Sequence, residues 1–280
     1  MFSHIISPEN LLCNLDKEDW IIFDCRFNLL KKNEGEDLYK ESHIKNSYYI
    51  DLEKDLSDCK KNGGRHPLPN IEQFKEVLNR YGIDKRTQIV LYDDNKGAIC
   101  SRFWWMLKNV GHVNACVLDG GYTAWKDLTY PLTNNLSPRR KSTNNSYSYN
   151  NEEIYTTEEI KRLLDEDKII LVDAREENRY LGKEEKIDKK SGHIPGSINL
   201  PYATNINEKG FFKNNDELIK KFEILLNDNS KEIVHMCGSG VTACHNLLAA
   251  DLTQKFGLQK LYIGSWSAWI EDENNKIGLG

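Results

Sequence analysis

Glu232-Ile233-Val234-His235-Met236-Cys237-Gly238-Ser239-Gly240-Val241-Thr242-Ala243 is the stretch on which the reading of this chain turns. An apolar run of strand character stops at a cysteine, two glycines follow within three residues, and a helical pattern opens near Val241 or Thr242. A nucleophile on a tight turn between a strand and a helix sits where several amide N–H groups can point at one atom, because glycine lets the backbone fold back. The partial positive charge of a helix N-terminus acts in the same sense. Each of these terms favours thiolate over thiol, so Cys237 is expected to be the reactive cysteine.

The pattern occurs twice. Ile89-Val90-Leu91-Tyr92-Asp93 parallels Ile233-Val234-His235-Met236-Cys237 at a separation of 144 residues, and the same separation aligns Gly120-Gly121-Tyr122-Thr123-Ala124-Trp125 with Gly264-Ser265-Trp266-Ser267-Ala268-Trp269. Nearer the start of each copy, Phe23-Asp24-Cys25-Arg26 parallels Val172-Asp173-Ala174-Arg175, and His43-Ile44 parallels His193-Ile194. The few residues of drift fit loop insertions between shared elements. Two copies of one domain are present, and not a solenoid of short repeats. Only the second copy keeps the sulfur; Asp93 stands at its place in the first. A merely structural cysteine gives no reason for the glycine-rich turn.

Short apolar runs alternate with helical patterns in each copy. Trp20–Cys25, Ile89–Tyr92 and Cys116–Leu118 read as buried strands, as do Ile169–Asp173, Ile233–Met236 and Lys260–Ile263. Thr156, followed by Glu158 and Glu159, opens one helix; Asp216–Leu226 and Val241–Phe256 are others, the last with Gly257 at the place of a C′ residue. Alternation of this kind predicts an α/β fold with mostly parallel sheets flanked by helices. Its ligands bind beyond the carboxyl ends of the strands, which is where Cys237 stands. Residues 131–151, polar and without periodicity, read as a linker between a first domain over 1–130 and a second over 152–280.

Composition narrows the function. The chain has 280 residues, 39% hydrophobic and 29% charged, and a net charge of −5. With no basic stripe it is a poor nucleic-acid binder. No apolar run approaches the roughly 18 residues of a membrane span, so no membrane role is expected. Residues 1–16 hold no Lys or Arg, which fits neither a secretory signal nor a transit peptide. The seven cysteines are odd in number and contain no C-x-x-C pair, so reduced thiols of a cytoplasmic protein are expected, with no disulfide framework and no metal site.

Cys237-Gly238-Ser239-Gly240-Val241-Thr242-Ala243 resembles the active-site loop of the 3-mercaptopyruvate sulfurtransferases, in the tandem rhodanese family. Trp104-Trp105-Met106, Asp119-Gly120-Gly121, Gly192-His193-Ile194-Pro195-Gly196 and Gly264-Ser265-Trp266 match as well, so the resemblance spans nearly the whole chain. It implies two tandem rhodanese-like domains, the first an inactive copy, with the site between them. A Cys-x5-Arg phosphatase has a related loop, but the sixth residue after Cys237 is Ala243, and a phosphate dianion would lack its bidentate clamp.

The chemistry implied is sulfur transfer through a Cys237 persulfide, in two steps and in ping-pong order. Main-chain groups of Gly238, Ser239, Gly240, Val241 and Thr242 are expected to hold the thiolate and persulfide anions, with no cofactor. The donor is a small sulfur-bearing anion. The acceptor is a thiol, either thioredoxin or a low-molecular-weight thiol, or cyanide. Thiosulfate enzymes of the family resemble Cys-Arg-Lys-Gly-Val-Thr-Ala, whereas Gly238 and Ser239 stand in the two cationic places here, which favours mercaptopyruvate.

That donor must lose a thiol proton while its leaving enolate gains one. The resemblance assigns this work to Ser239, with His66 and Glu53 from the first domain, as a relay across the domain interface; Asp51 is a rival acid. It also makes Arg179 the anchor of the substrate carboxylate. The family's second arginine has no counterpart between Arg179 and His193, and Lys186 is the choice from that segment. Asp24 and Asp173, each two residues before an arginine, read as structural ion pairs. Cys244, His245, Trp104 and Trp105 read as core. Alternatives are a thiosulfate sulfurtransferase and a non-enzymatic persulfide carrier or redox sensor.

Overall fold

The computed structural model describes residues 1–31, 33–226, 228 and 230–280. The chain divides into two compact units. The first comprises residues 1–58, 69–149 and 208–211, and the second residues 59–68, 150–207 and 212–280.

The first unit contains strands β1 (Ile5–Ile6), β2 (Trp20–Asp24), β3 (His43–Ile44), β4 (Ser47–Tyr49), β5 (Gln88–Tyr92), β6 (Ala115–Leu118) and β7 (Leu132–Thr133). The second contains β8 (Ile154–Tyr155), β9 (Ile169–Asp173), β10 (Ile198–Asn199), β11 (Glu232–Met236) and β12 (Lys260–Tyr262). One sheet runs β1-β6-β5-β2-β4 and the other β8-β12-β11-β9-β10, with every neighbouring pair parallel. The order is the same in both, so the internal repeat of the sequence is a repeat of topology. β3 and β7 form a separate antiparallel pair.

β2 and β5 are buried at every position, which is why they read as uninterrupted apolar runs and not as alternating ones. In each sheet two adjacent strands end together: Asp24 pairs with Tyr92, and Asp173 with Met236. The next residues, Asp93 and Cys237, therefore leave their sheets at equivalent points. The helix Ala243–Thr253 that follows Cys237 is buried on almost all sides, with Cys244 and His245 at 0% exposure, so these two pack as core. Trp104 and Trp105 are buried in the helix Cys100–Asn109.

The helix after β11 ends earlier than its sequence pattern suggests. Its left-handed cap is Gln254, with φ 55°, and not Gly257. Thr253 explains the stop, since its hydroxyl donates to Ala250 O at 2.7 Å and accepts the Lys255 amide at 3.2 Å. The helix Thr157–Asp165 carries the full capping box, Thr156 and Glu159 each bonding the other's amide. The polar stretch after Tyr130 is bonded along the first unit. Tyr48 Oη donates to Pro138 O, the Thr143 amide donates to Asn79 O, and Tyr149 stacks on Phe74. Among the described residues no helix is long and apolar enough to cross a membrane.

Candidate active site

The turn after β11 is held by its neighbours at four points. The Cys237 amide donates to Ser265 Oγ at 3.1 Å, and Cys237 O accepts the Trp266 amide at 3.0 Å. Gly238 O accepts the Ser267 amide at 2.9 Å, and Gly240 O accepts Cys244 Sγ at 3.4 Å. Gly240 has φ +72°, and a Cβ there would lie 2.4 Å from Ile263 O. The backbone at this point admits no side chain. Cys237 itself is 1% exposed.

The first unit supplies an internal comparison. Asp93 stands at the place of Cys237, and its loop closes around its own carboxylate. Oδ1 accepts the amides of Asn95 and Gly97 at 2.9 and 2.8 Å, and Oδ2 those of Ile99 and Cys100 at 2.9 and 3.0 Å. Four main-chain donors thus converge on one anionic side chain at the end of a strand. The backbone turns alike at two points of the two copies and differs at two others, since Gly97 (φ 88°) and Gly120 (φ 81°) have positive φ where Val241 and Gly264 (φ −70°) do not. Lys96, with φ 58°, stands where Gly240 does, and Gly121, with φ 59°, where Ser265 has φ 52°. Tyr122 N donates to Asp93 O as Trp266 N does to Cys237 O.

Residues 59–68 bring the other groups. Gly64 packs against the helix Ser265–Trp269, where a Cβ would lie 2.7 Å from Ser267 Oγ. Its amide donates to Glu271 Oε1 and that of Arg65 to Ser267 Oγ, each at 3.0 Å. So fixed, His66 is 4% exposed, and its Nδ1 lies 2.8 Å from Ser239 Oγ. His66, expected from the first domain, belongs instead to the second compact unit, because residues 59–68 pack against the helix Ser265–Trp269.

Arg179, in the short helix Glu177–Tyr180, reaches the same loop. A Cβ placed on Gly238 would lie 3.6 Å from Arg179 Nη2 and 3.0 Å from Arg65 Nη2. Arg179 is bound by two acids: Nε and Nη2 donate to the Glu185 carboxylate at 3.0 Å each, and Nη2 to Asp188 Oδ2 at 2.9 Å. Asp188 Oδ1 pairs with Arg65 Nη1. Burial works to raise the Glu185 carboxyl, but the amides of Asp188 and Ile187 and the Arg179 guanidinium outweigh it and hold it below the usual range.

Lys186 is elsewhere. Its side chain is 80% exposed and pairs with Glu184, so it faces water. The second guanidinium beside Gly238 is Arg65, which sequence reasoning passed over. The signal available was its position directly before His66 and after two glycines. Glu53 lies in the first unit, partly buried. Asp51, the rival acid, is engaged locally: its Oδ1 accepts the Glu53 and Lys54 amides at 2.8 and 3.0 Å. Asp24 and Asp173 form buried pairs with Arg26 and Arg175 in the same geometry, and these arginines lie over the rings of Tyr122 and Trp266.

A model of the rhodanese-like domain matches residues 7–128 and again 156–272. The chain belongs to the rhodanese family. Each half carries one rhodanese domain, and the parallel sheets flanked by helices are those of the rhodanese fold. The chain is 36% identical over 99% of its length to a probable 3-mercaptopyruvate sulfurtransferase of Pseudomonas aeruginosa, 99% of which is covered. It is 34% identical to the thiosulfate sulfurtransferase of Bos taurus, over 83% of this chain and 78% of that one. Among solved structures it is similar to the 3-mercaptopyruvate sulfurtransferase from Leishmania major, with a TM-score of 0.81 and 29% identity, covering 95% of this chain and 73% of that one.

Proposed function

We propose that this rhodanese-family chain is a sulfurtransferase that takes sulfur from 3-mercaptopyruvate onto Cys237 and passes it to a thiol or to cyanide. The observation that carries the reading is an asymmetry between two like loops. The loop that begins at Asp93 is closed on its own carboxylate, whereas the loop that begins at Cys237 carries a serine, Ser239, paired with His66 at 2.8 Å.

In the first step Cys237 thiolate attacks the donor sulfur. A sulfur–sulfur bond forms, the carbon–sulfur bond breaks, and the electron pair leaves as the pyruvate enolate. The donor's thiol proton ends on the enolate carbon, so thiolate and mercaptopyruvate become persulfide and pyruvate. Ser239 Oγ and His66 Nδ1 carry that proton, and Glu53 is the acid that the family resemblance assigns to the same work. By comparison with Asn95, Gly97 and Ile99, the amides at Ser239, Val241 and Ala243 hold the sulfur anion. Gly238 gives the donor room, and Gly240 and Thr242 set the path of the turn into the helix. In the second step the acceptor thiolate attacks the outer sulfur and Cys237 thiolate leaves.

Thiosulfate is the second reading, favoured by the two guanidiniums beside Gly238. Glu185 and Asp188 offset their charge, which suits a monoanionic donor better than a dianion. The test compares donors: pyruvate release from mercaptopyruvate against thiocyanate formation from thiosulfate and cyanide. A higher kcat/KM with mercaptopyruvate is expected, and equal or better use of thiosulfate overturns the donor assignment. Cys237→Ser should abolish both activities, because a hydroxyl cannot carry a persulfide. Residual turnover in that variant refutes the mechanism.

A further inference from the structure

The two guanidiniums beside Gly238 differ in which of their N–H groups are already committed. A guanidinium binds a carboxylate best along one edge, where Nε–H and an Nη2–H lie parallel and match the two oxygens. In Arg179 that edge is taken, since Nε and Nη2 both donate to Glu185 and Nη2 donates to Asp188 as well. In Arg65 the pairing with Asp188 uses Nη1, on the other side of the group. Arg65 Nε is buried and has no hydrogen-bond partner among the described residues, and Nη2 is the atom nearest to a Cβ built on Gly238.

The position of Arg65 is also fixed from its backbone. Its amide donates to Ser267 Oγ, and the Ser267 amide donates to Gly238 O, so one serine joins Arg65 to the residue after the nucleophile. Asp188, 3% exposed, lies between the two guanidiniums with one oxygen on each, which sets their spacing.

We infer that Arg65 supplies the fork that binds the carboxylate of the sulfur donor, and that Arg179 positions Asp188 and Glu185 and contributes charge. Arg65 thereby takes the place of the second arginine that the segment 180–192 lacks. This rests on the mercaptopyruvate reading above. It goes further in naming the residue that recognises the carboxylate and in placing it on the loop that carries His66.

The test uses two donors that differ only at this point, 3-mercaptopyruvate and mercaptopropanone, in which a methyl group replaces the carboxylate. Arg65→Ala should raise KM for mercaptopyruvate by roughly 10- to 100-fold, the value of a charge-assisted bidentate contact, and lower the use of mercaptopropanone far less, since Asp188 keeps Arg179 as its cation. Arg65→Lys, which keeps the charge and loses the fork, should fall between Arg65→Ala and the unaltered protein. Equal losses on the two donors, or no change on either, overturn the assignment. The unaltered protein is the control for the underlying reading: if it does not turn over mercaptopyruvate, the donor itself is wrong, whereas normal turnover with an indifferent Arg65 refutes only the fork.

Discussion

At the residue scale, the seven cysteines separate by environment. Burial pushes the thiols of Cys25, Cys100 and Cys116 up, and Asp93 adds to this for the first two. Cys13 and Cys59 are exposed. In a Cys13→Ser, Cys59→Ser background, a protein incubated with donor and no acceptor should gain one sulfur atom by mass spectrometry, located on the peptide containing Cys237. A gain on any other peptide counts against the assignment. Ser239→Ala removes the hydroxyl that His66 faces and should slow mercaptopyruvate turnover more than thiosulfate turnover, since thiosulfate brings no thiol proton. Parallel losses contradict a proton relay. Arg179→Ala strips Glu185 and Asp188 of a shared cation beside the nucleophile and should depress use of both donors. Selective loss of mercaptopyruvate would move the fork from Arg65 to Arg179.

At the element scale, the strand–turn–helix unit depends on one backbone position. Gly240→Ala puts a Cβ against Ile263 O at a left-handed φ, so a loss of about 1–3 kcal/mol and a collapse of activity are expected in urea unfolding and turnover assays. Full stability in that variant would mean that the turn relaxes without cost. The long strands were legible in the sequence because they are buried on both faces and so read as plain apolar runs. β1, β8 and β10, at two residues each, fall below any periodicity and are created by the edges they pair with. The turn at Cys237 was legible because glycine spacing marks it locally, whereas Ser239 was singled out only through the family resemblance. Arg65 was not legible, because its partners Ser267 and Asp188 lie 202 and 123 residues away in the chain, and only the folded protein brings them together.

At the scale of the whole molecule, a half-buried lysine in the second unit makes stability depend on pH. Burial, with the charge of Lys213 added, brings the Lys221 ammonium down to about 7, where it donates to Pro201 O at 2.8 Å and to Asn205. An unfolded chain, with lysine near about 10.4, holds this proton over a window in which the folded protein has released it. Stability should therefore rise from about pH 7 to about pH 10, by at most about 1.4 kcal/mol per unit for this one group. Lys221→Met should flatten that slope in thermal unfolding. A slope that survives the substitution belongs to other groups. The Asp93 loop has a consequence of its own at this scale. A ring of amide donors left facing water invites any passing oxyanion, and a sulfur there invites peroxide. By filling that ring with its own carboxylate, which can form no persulfide, Asp93 satisfies in the first half the donors that its counterpart turn would offer to a sulfur anion.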